Sequence, residues 1–352
     1  MRVAIEATAL TMSSGGLPRY TAELSLALAR CFPDDEFYLI SDQQFAMPEG
    51  APVNLRRGGG PRNAVERRWW LWGIVREMHR LHADVIHGPD FAVPYIPRRP
   101  SVLSLHDLSP WMDEKWHHAA DRVRRRTPVL LELGVATMVI TPRDGVRRQA
   151  IERFRLRPDR VAVVPYAAPS WFRPVPPRER RVAPYFLWVG TLEPRKNLPA
   201  LLQAWREVRR DCEVDLVLAG RRRADFEELA PEPGLRVLGE VPDEQLPELY
   251  SSALAFVFPS FYEGFGLPVL EAMQCGACVI ASHAVQEVGG DAPLYAEGVG
   301  ELAEAMRQVA TREELVQERR AASLAQAGEF SWERTARMTY QVYQEARKRF
   351  GD

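Results

Sequence analysis

Residues Phe256–Ser282 read FVFPSFYEGFGLPVLEAMQCGACVIAS, and the fold turns on this stretch. FVFPS is an apolar, strand-like run closed by a proline. GLPVLEAMQ then reads as a helix with Pro268 in its first turn, where the missing N–H costs little. ACVIAS returns to a short buried strand. Strand, glycine loop, helix and strand make a βαβ unit, so a parallel sheet is expected. The first amides of such a helix point back over the strand end and, with the macrodipole, favour an anion. Glu263 and Glu271 stand eight residues apart, on either side of the turn Gly264-Phe265-Gly266-Leu267. A nucleotide sugar would satisfy both features, with phosphates for the amides and hydroxyls for the carboxylates. Glu271, about one helical turn in, suits vicinal ribose hydroxyls, and Glu263 in the loop suits the sugar.

Upstream, YFLWVG ends at Gly190 and leads into TLEPRKN and the helix LPALLQAWREV. Leu198, Leu201, Leu202, Trp205 and Val208 share one helical face, which leaves Arg195 and Lys196 just ahead of the N-terminus. A solvated basic turn is the plain reading. Two cations beside a helix start would equally neutralise a diphosphate, one as a fork and one as a point charge. The nearby pair of glutamates favours the second reading. VDLVLAG, RVLGEV, ALAFVF and ACVIAS follow as further short strands, so a second doubly wound sheet is expected. Cys275 and Cys278 lie in an apolar turn and read as small buried residues, not as a redox or zinc pair.

The N-terminal half repeats the design. RVAIEAT is a first core strand, followed by a loop with Gly15 and Gly16 and by a helix with Leu17, Tyr20, Leu24, Leu28 and Cys31 on one face. The glycine pair permits close backbone approach to a ligand, or is simply a tight turn; no G-x-G-x-x-G is present. FYLIS and VNLRR read as strands. Trp69, Trp70 and Trp72 lie among arginines in a helix, as an interfacial anchor would have them, although Trp69 with Ile74, Leu71, Val75 and Met78 also makes a core face. SVLSLHDLSP is a strand ending at His106-Asp107, where open α/β sheets bind ligands. That imidazole suits a sugar hydroxyl or a backbone carbonyl, with Asp107 setting its tautomer or capping the next turn. The other six histidines, His117 and His118 among them, have no metal-ligand spacing. TMVITP and VAVVPYA complete the sheet. A proline-rich stretch, 168–183, reads as a linker between domains 1–167 and 184–332, and an amphipathic helix is expected over 333–352.

At 352 residues, 46% hydrophobic and 26% charged, the chain has room for two cores. A net charge of -1 leaves no nucleic-acid footprint. Charge is uneven: 24 Lys/Arg face 19 Asp/Glu through Ala167, so the N-terminal half carries +5 and the rest -6. A basic half suits an anionic membrane face or a phosphorylated acceptor, or is plain solvated surface. A strand beginning at Arg2 reads as leaving no room for a signal peptide, and no apolar run reaches the roughly 20 residues of a bilayer span. Four cysteines suggest no disulfide framework, so a reducing cytoplasm is expected.

The Glu263–Glu271 pair within FVFPS…GLPVLEAM, together with GTLEPRKN, resembles the Glu-x7-Glu signature of the retaining glycosyltransferases of family 4. The resemblance covers most of the chain and implies a GT-B fold: two Rossmann-like domains facing a central cleft, with the C-terminal helix crossing back to the first. It implies transfer from a nucleoside diphosphate sugar, GDP-mannose or a UDP-sugar, to a saccharide or lipid-linked acceptor in cell-surface polysaccharide or glycolipid synthesis. Peripheral contact with the inner membrane face is a further expectation. His106 and Glu263 take the catalytic positions. Gly15, Gly16, Gly190, Arg195, Lys196, Val241, Gly264, Phe265, Gly266, Leu267 and Glu271 take the donor positions. No Asp-x-Asp occurs, and neither metal nor cofactor is expected. Three departures stand out: Thr191 replaces a phosphate-binding arginine, so that Lys196, Arg195 or Arg221-Arg222-Arg223 must supply charge; Pro142-Arg143-Asp144 replaces a serine-rich turn; and Tyr166-Ala167 replaces Asn-Gly. The rivals are a sugar-nucleotide epimerase of the same fold and a non-catalytic sugar-nucleotide-binding module. Acceptor-dependent nucleotide release separates all three.

Overall fold

The computed structural model describes residues 1–12, 15–113, 116, 120–176 and 183–350. His117, His118, linker residues 177–182 and the last two residues of the expected C-terminal helix lie outside them. The chain forms two compact units, Met1–Tyr166 with Ser331–Asp352, and Ala167–Phe330.

The first unit holds a seven-stranded parallel sheet of β1 (Arg2–Glu6), β2 (Glu36–Ile40), β3 (Leu55–Arg57), β4 (Val85–Gly88), β5 (Ser101–Ser104), β6 (Met138–Thr141) and β7 (Val161–Val163). Their order is β3-β2-β1-β4-β5-β6-β7. The second holds β8 (Tyr185–Val189), β9 (Asp215–Ala219), β10 (Leu235–Gly239), β11 (Ala255–Phe258), β12 (Val279–Ala281) and β13 (Leu294–Tyr295), ordered β10-β9-β8-β11-β12-β13 and parallel. Each order reverses once, between β1 and β4 and between β8 and β11. Loops leaving adjacent strands in opposite directions open a crevice at such a switch point. The two Rossmann-like sheets expected from the sequence are both present.

Helices α1 (Gly16–Cys31), α2 (Ile74–Leu81), α3 (Asp121–Glu132) and α4 (Asp144–Phe154) belong to the first unit, with Arg143 opening α4. The second has α5 (Leu198–Arg209), α6 (Leu246–Ser252), α7 (Leu267–Gln274), α8 (Gln286–Gly289), α9 (Gly298–Thr311) and α10 (Glu313–Ala327). All five apolar residues of the α5 face are buried against Phe186, Trp188 and Leu216, each contributing about 1.5–3 kcal/mol. The tryptophan helix divides. Trp69 is buried with Ile74 and Met78, whereas Trp72 is 38% exposed. A π-helical turn at Trp69–Gly73 precedes α2 and separates the two rings. The described part of the expected linker packs onto the second unit: Phe172 is fully buried edge-on to Tyr250, and Gln274 donates to the Pro169 carbonyl at 2.9 Å.

Helix α11 (Trp332–Arg349) belongs to the first unit and packs along α1. Ser331 caps its first turn by accepting from the Arg334 amide, and Tyr340 stacks on Phe32 at 3.7 Å. A buried hydrogen-bonded chain ties it to the sheet. The Tyr343 hydroxyl meets His87 Nδ1 at 2.7 Å, His87 Nε2 meets Ser104 Oγ at 2.8 Å, and Ser104 meets the Tyr20 hydroxyl at 2.9 Å. Burial, with His106 nearby, lowers the His87 pKa to about 3, so the ring is neutral. Tyr343→Phe keeps the shape but leaves a His87 nitrogen unpaired. Urea unfolding of the full chain should show a loss of about 1–3 kcal/mol; an unchanged midpoint would mean that this chain does not hold the helix.

Candidate active site

Strand β8 ends at Val189 and β11 at Phe258, side by side at the switch point, so their loops meet. Gly190 and Gly220 close the ends of β8 and β9. A Cβ on Gly220, at φ +140°, would lie 1.8 Å from the Gly190 carbonyl oxygen, which only glycine permits. In the β11 loop Gly266 has φ +100°, and a Cβ there would approach Val285 to 2.7 Å. That glycine lets α7 start close under the loop, with no side-chain cap on its first amides.

Four charged side chains from these two loops interlock. Lys196 Nζ donates to Glu263 Oε1 at 2.6 Å and stands 4.9 Å from the centre of the Phe258 ring. Arg195 donates to Glu263 Oε2 at 3.1 Å, to the Tyr262 carbonyl at 2.7 Å and to Glu193 Oε1 at 2.7 Å. The Arg195 carbonyl accepts from the Phe261 amide at 3.0 Å. Arg195 thus pins the β11 loop to the β8 loop, while Lys196 holds the other oxygen of Glu263. Glu263 is only 6% exposed and Lys196 7%. Burial alone would raise the Glu263 pKa, but Lys196 and Arg195 outweigh it and hold it at about 2. Burial pushes Lys196 below its ordinary value, against the pull of Glu263.

Glu271 lies in the second turn of α7, 2% exposed, and accepts from the Tyr250 hydroxyl at 3.3 Å. Gly264, Phe265, Gly266 and Leu267 run from Glu263 into that helix, with Phe265 buried edge-on to Phe330. Val241 follows β10, whose last residue, Gly239, accepts from the Gly220 amide at 2.7 Å; the β10 loop therefore sits beside the β9 end. Of the arginine triplet, Arg223 reaches the cluster, 3.8 Å from Glu193, while Arg222 donates to the Phe226 carbonyl.

Gly15, Gly16 and His106 belong to the first unit. Gly15, at φ +117°, precedes α1 in open space, and Gly16 is the first residue of that helix. His106 follows β5 and has both ring nitrogens engaged, Nε2 with the Pro89 carbonyl and Nδ1 with the Tyr166 hydroxyl at 2.6 Å. A carbonyl only accepts, so Nε2 carries the proton. Burial lowers the pKa of the ring, and the neutral form prevails. The catalytic position given to His106 is therefore filled by a ring that already spends both nitrogens within the unit. Asp107 caps the next turn, accepting from the Ser109 amide at 2.9 Å and hydroxyl at 2.6 Å. Cys275 and Cys278 are buried thiols pushed up to about 12 by burial, as their apolar turn implied.

Sequence reading passed over Glu193 and Tyr250, which orient Arg195 and Glu271, and Tyr166, which holds His106. Glu193 lay inside the quoted GTLEPRKN, and Tyr166 was visible only as a departure. Glu6 was also passed over. It ends β1, accepts from the Thr8 amide and hydroxyl and from the Trp69 indole, and is raised by burial to about 7.

Two family models match the chain: "Glycosyltransferase Family 4" over residues 14–169 and "Glycosyl transferases group 1" over 183–312. The O-antigen chain mannosyltransferase B of Escherichia coli is 36% identical over 282 residues, 74% of each chain. Among solved structures, sucrose-phosphate synthase from Thermosynechococcus elongatus superposes with a TM-score of 0.73 at 19% identity over 98% of both chains. Anabaena HepE, in complex with UDP and glucose, gives 0.72 at 18% over 98% of this chain and all of that one. Fold and relatives together define a glycosyltransferase of the GT-B type. The chain belongs to glycosyltransferase family 4.

The charge cluster makes stability depend on acid. Glu263 has an ordinary pKa of 4.5 and a folded value of about 2. Its contribution, about 3 kcal/mol from that difference, is fully present above pH 4.5 and is lost as pH falls toward 2. Glu263→Gln should unfold at lower denaturant at pH 7 and lose less stability than the wild type between pH 5 and 2. Equal acid sensitivity of the two proteins would remove the ion pairs from the stability of this unit.

Proposed function

We propose that the chain transfers a hexose, with retention at the anomeric carbon, from a nucleoside diphosphate to a hydroxyl of a saccharide or lipid-linked acceptor in cell-surface polysaccharide or glycolipid assembly. Mannose from GDP-mannose is the first choice, in keeping with the relative named as an O-antigen chain mannosyltransferase. A UDP-sugar is the second. The reading rests above all on the interlocked Glu193, Arg195, Lys196 and Glu263 at the β8–β11 switch point.

Two acids and two cations neutralise one another there. A diphosphate brings further negative charge and competes with Glu263 for Lys196. When Lys196 turns to the phosphate, Glu263 keeps Arg195 on one oxygen and offers the other to sugar hydroxyls. Glu271, oriented by Tyr250, takes the ribose hydroxyls, and the amides at Gly266-Leu267 face the leaving oxygens. In the transfer step the anomeric carbon–oxygen bond breaks with its electron pair going to the diphosphate. The acceptor oxygen bonds to the same face of that carbon, and its proton passes to the departing phosphate. No metal or cofactor is assigned a part. His106, held by Pro89 and Tyr166, positions the loops of the first unit, to which the acceptor is assigned. A lipid-linked acceptor places the enzyme in the cytoplasm, peripheral at the inner membrane face.

Thermal scanning with GDP-, UDP-, ADP- and dTDP-sugars should single out one donor, which stabilises the fold by about 2.7 kcal/mol at a hundred times its Kd. Lys196→Ala and Glu271→Ala should each weaken nucleotide binding by about 2–5 kcal/mol, whereas Glu263→Ala should mainly slow transfer. Near-normal turnover in all three variants would remove the proposed site.

A further inference from the structure

On the first unit, away from the residues described above, a groove of about 530 Å³ is lined by Val75, Arg76, His79, Arg80, Arg98 and Arg99. Its basic character survives local pairing. Arg80 is tied to the buried acids Glu66 and Glu77, and Arg76 comes no nearer than 3.9 Å to Glu66. Arg98 and Arg99 are exposed, and among the described residues neither guanidinium meets a carboxylate. Between Arg62 and Arg99 the chain has seven arginines against four acids, so the face keeps a positive excess.

Aromatic side chains flank these charges. Trp72, 38% exposed, stands one helical turn ahead of Val75 and Arg76, and Arg76 and His79 continue that exposed side of α2. Tyr95, 41% exposed, is on the loop that bears Arg98 and Arg99; its amide donates to the Trp70 carbonyl at 2.9 Å, which fixes the loop to the helix turn. Trp69, by contrast, serves the core. A site for a small soluble phosphate would gather its donors around one point. Here the arginines line an open groove of about 530 Å³ with exposed aromatic rings beside them. Arginines meet lipid phosphates while an indole sits among the headgroups, the composition of an interfacial contact.

We infer that this face docks on a bilayer of anionic phospholipid, with Arg76, Arg98 and Arg99 on the headgroup phosphates and Trp72 in the interface. The inference deepens the proposed peripheral placement by naming its surface, and it does not depend on the donor chemistry.

Co-sedimentation of the full chain with vesicles tests it. Vesicles of phosphatidylcholine with a minority of phosphatidylglycerol should retain the protein, and pure phosphatidylcholine should not. Arg98→Gln with Arg99→Gln should lower the partition coefficient about tenfold or more, Trp72→Ala should lower it further, and Arg98→Lys with Arg99→Lys should restore most of it. All of these positions are exposed, and an unchanged thermal midpoint shows that each variant is folded. Lys196→Ala should bind vesicles as the wild type does, and the arginine variants should bind nucleotide normally; this separates a failure here from a failure of the transferase reading. Three results would overturn the inference: equal binding to neutral vesicles, no loss in the folded glutamine variants, or release by glycerol phosphate at constant ionic strength. The last would make the groove a site for a soluble phosphate.

Discussion

The second unit is built around a buried exchange of charge. Glu263 can be ionised at 6% exposure only because Lys196 and Arg195 stand on its two oxygens. Arg195 is buried with Glu193 and the Tyr262 carbonyl accepting from its two terminal nitrogens. Removing one partner strands the others in a medium where an unpaired charge typically costs about 3–5 kcal/mol. Such a cluster fixes two loops in register. On the proposed reading it also readies the loops for an anion, since a single swap of partners at Lys196 would expose a carboxylate without leaving any charge alone.

The topology places that cluster. GTLEPRKN and FYEGFG are about seventy residues apart in the chain, yet they leave neighbouring strands where the sheet order reverses. This much was legible in the sequence, because short apolar strands and one-faced helices repeat clearly enough to give two doubly wound sheets. The α5 face was legible for the same reason, and every residue assigned to it is buried. Cys275 and Cys278 were read from the apolar turn around them, and burial makes both poor thiolates.

Long-range side-chain partners were not legible. Tyr166 looked like a lost Asn-Gly and proves to satisfy a nitrogen of His106, sixty residues away. No spacing rule links those positions; only β5, β6 and β7 lying side by side does. The role of Arg195 was likewise hidden. Ahead of a helix N-terminus a guanidinium reads as a phosphate ligand, whereas in three dimensions most of its donors are spent on protein oxygens. Lys196, by contrast, has one carboxylate and one ring face. The tryptophan run failed as a single unit because a π-helical turn shifts the register, sending Trp69 inward and Trp72 outward. Core packing and an interfacial anchor had been alternatives for the whole helix; the structure gives Trp69 to the core and leaves Trp72, three positions on, at the surface.

The proposed function makes Glu263 and a diphosphate competitors for Lys196, the cation that Glu263 holds at 2.6 Å. Titration calorimetry with the nucleoside diphosphate alone, across wild type, Glu263→Gln, Lys196→Met and the double variant, measures it directly. If the two anions compete, Glu263→Gln binds the diphosphate more tightly than wild type, and the gain disappears once Lys196 is replaced. Weaker binding in Glu263→Gln, of the same size with or without Lys196, would contradict the exchange and leave the cluster a purely structural clamp.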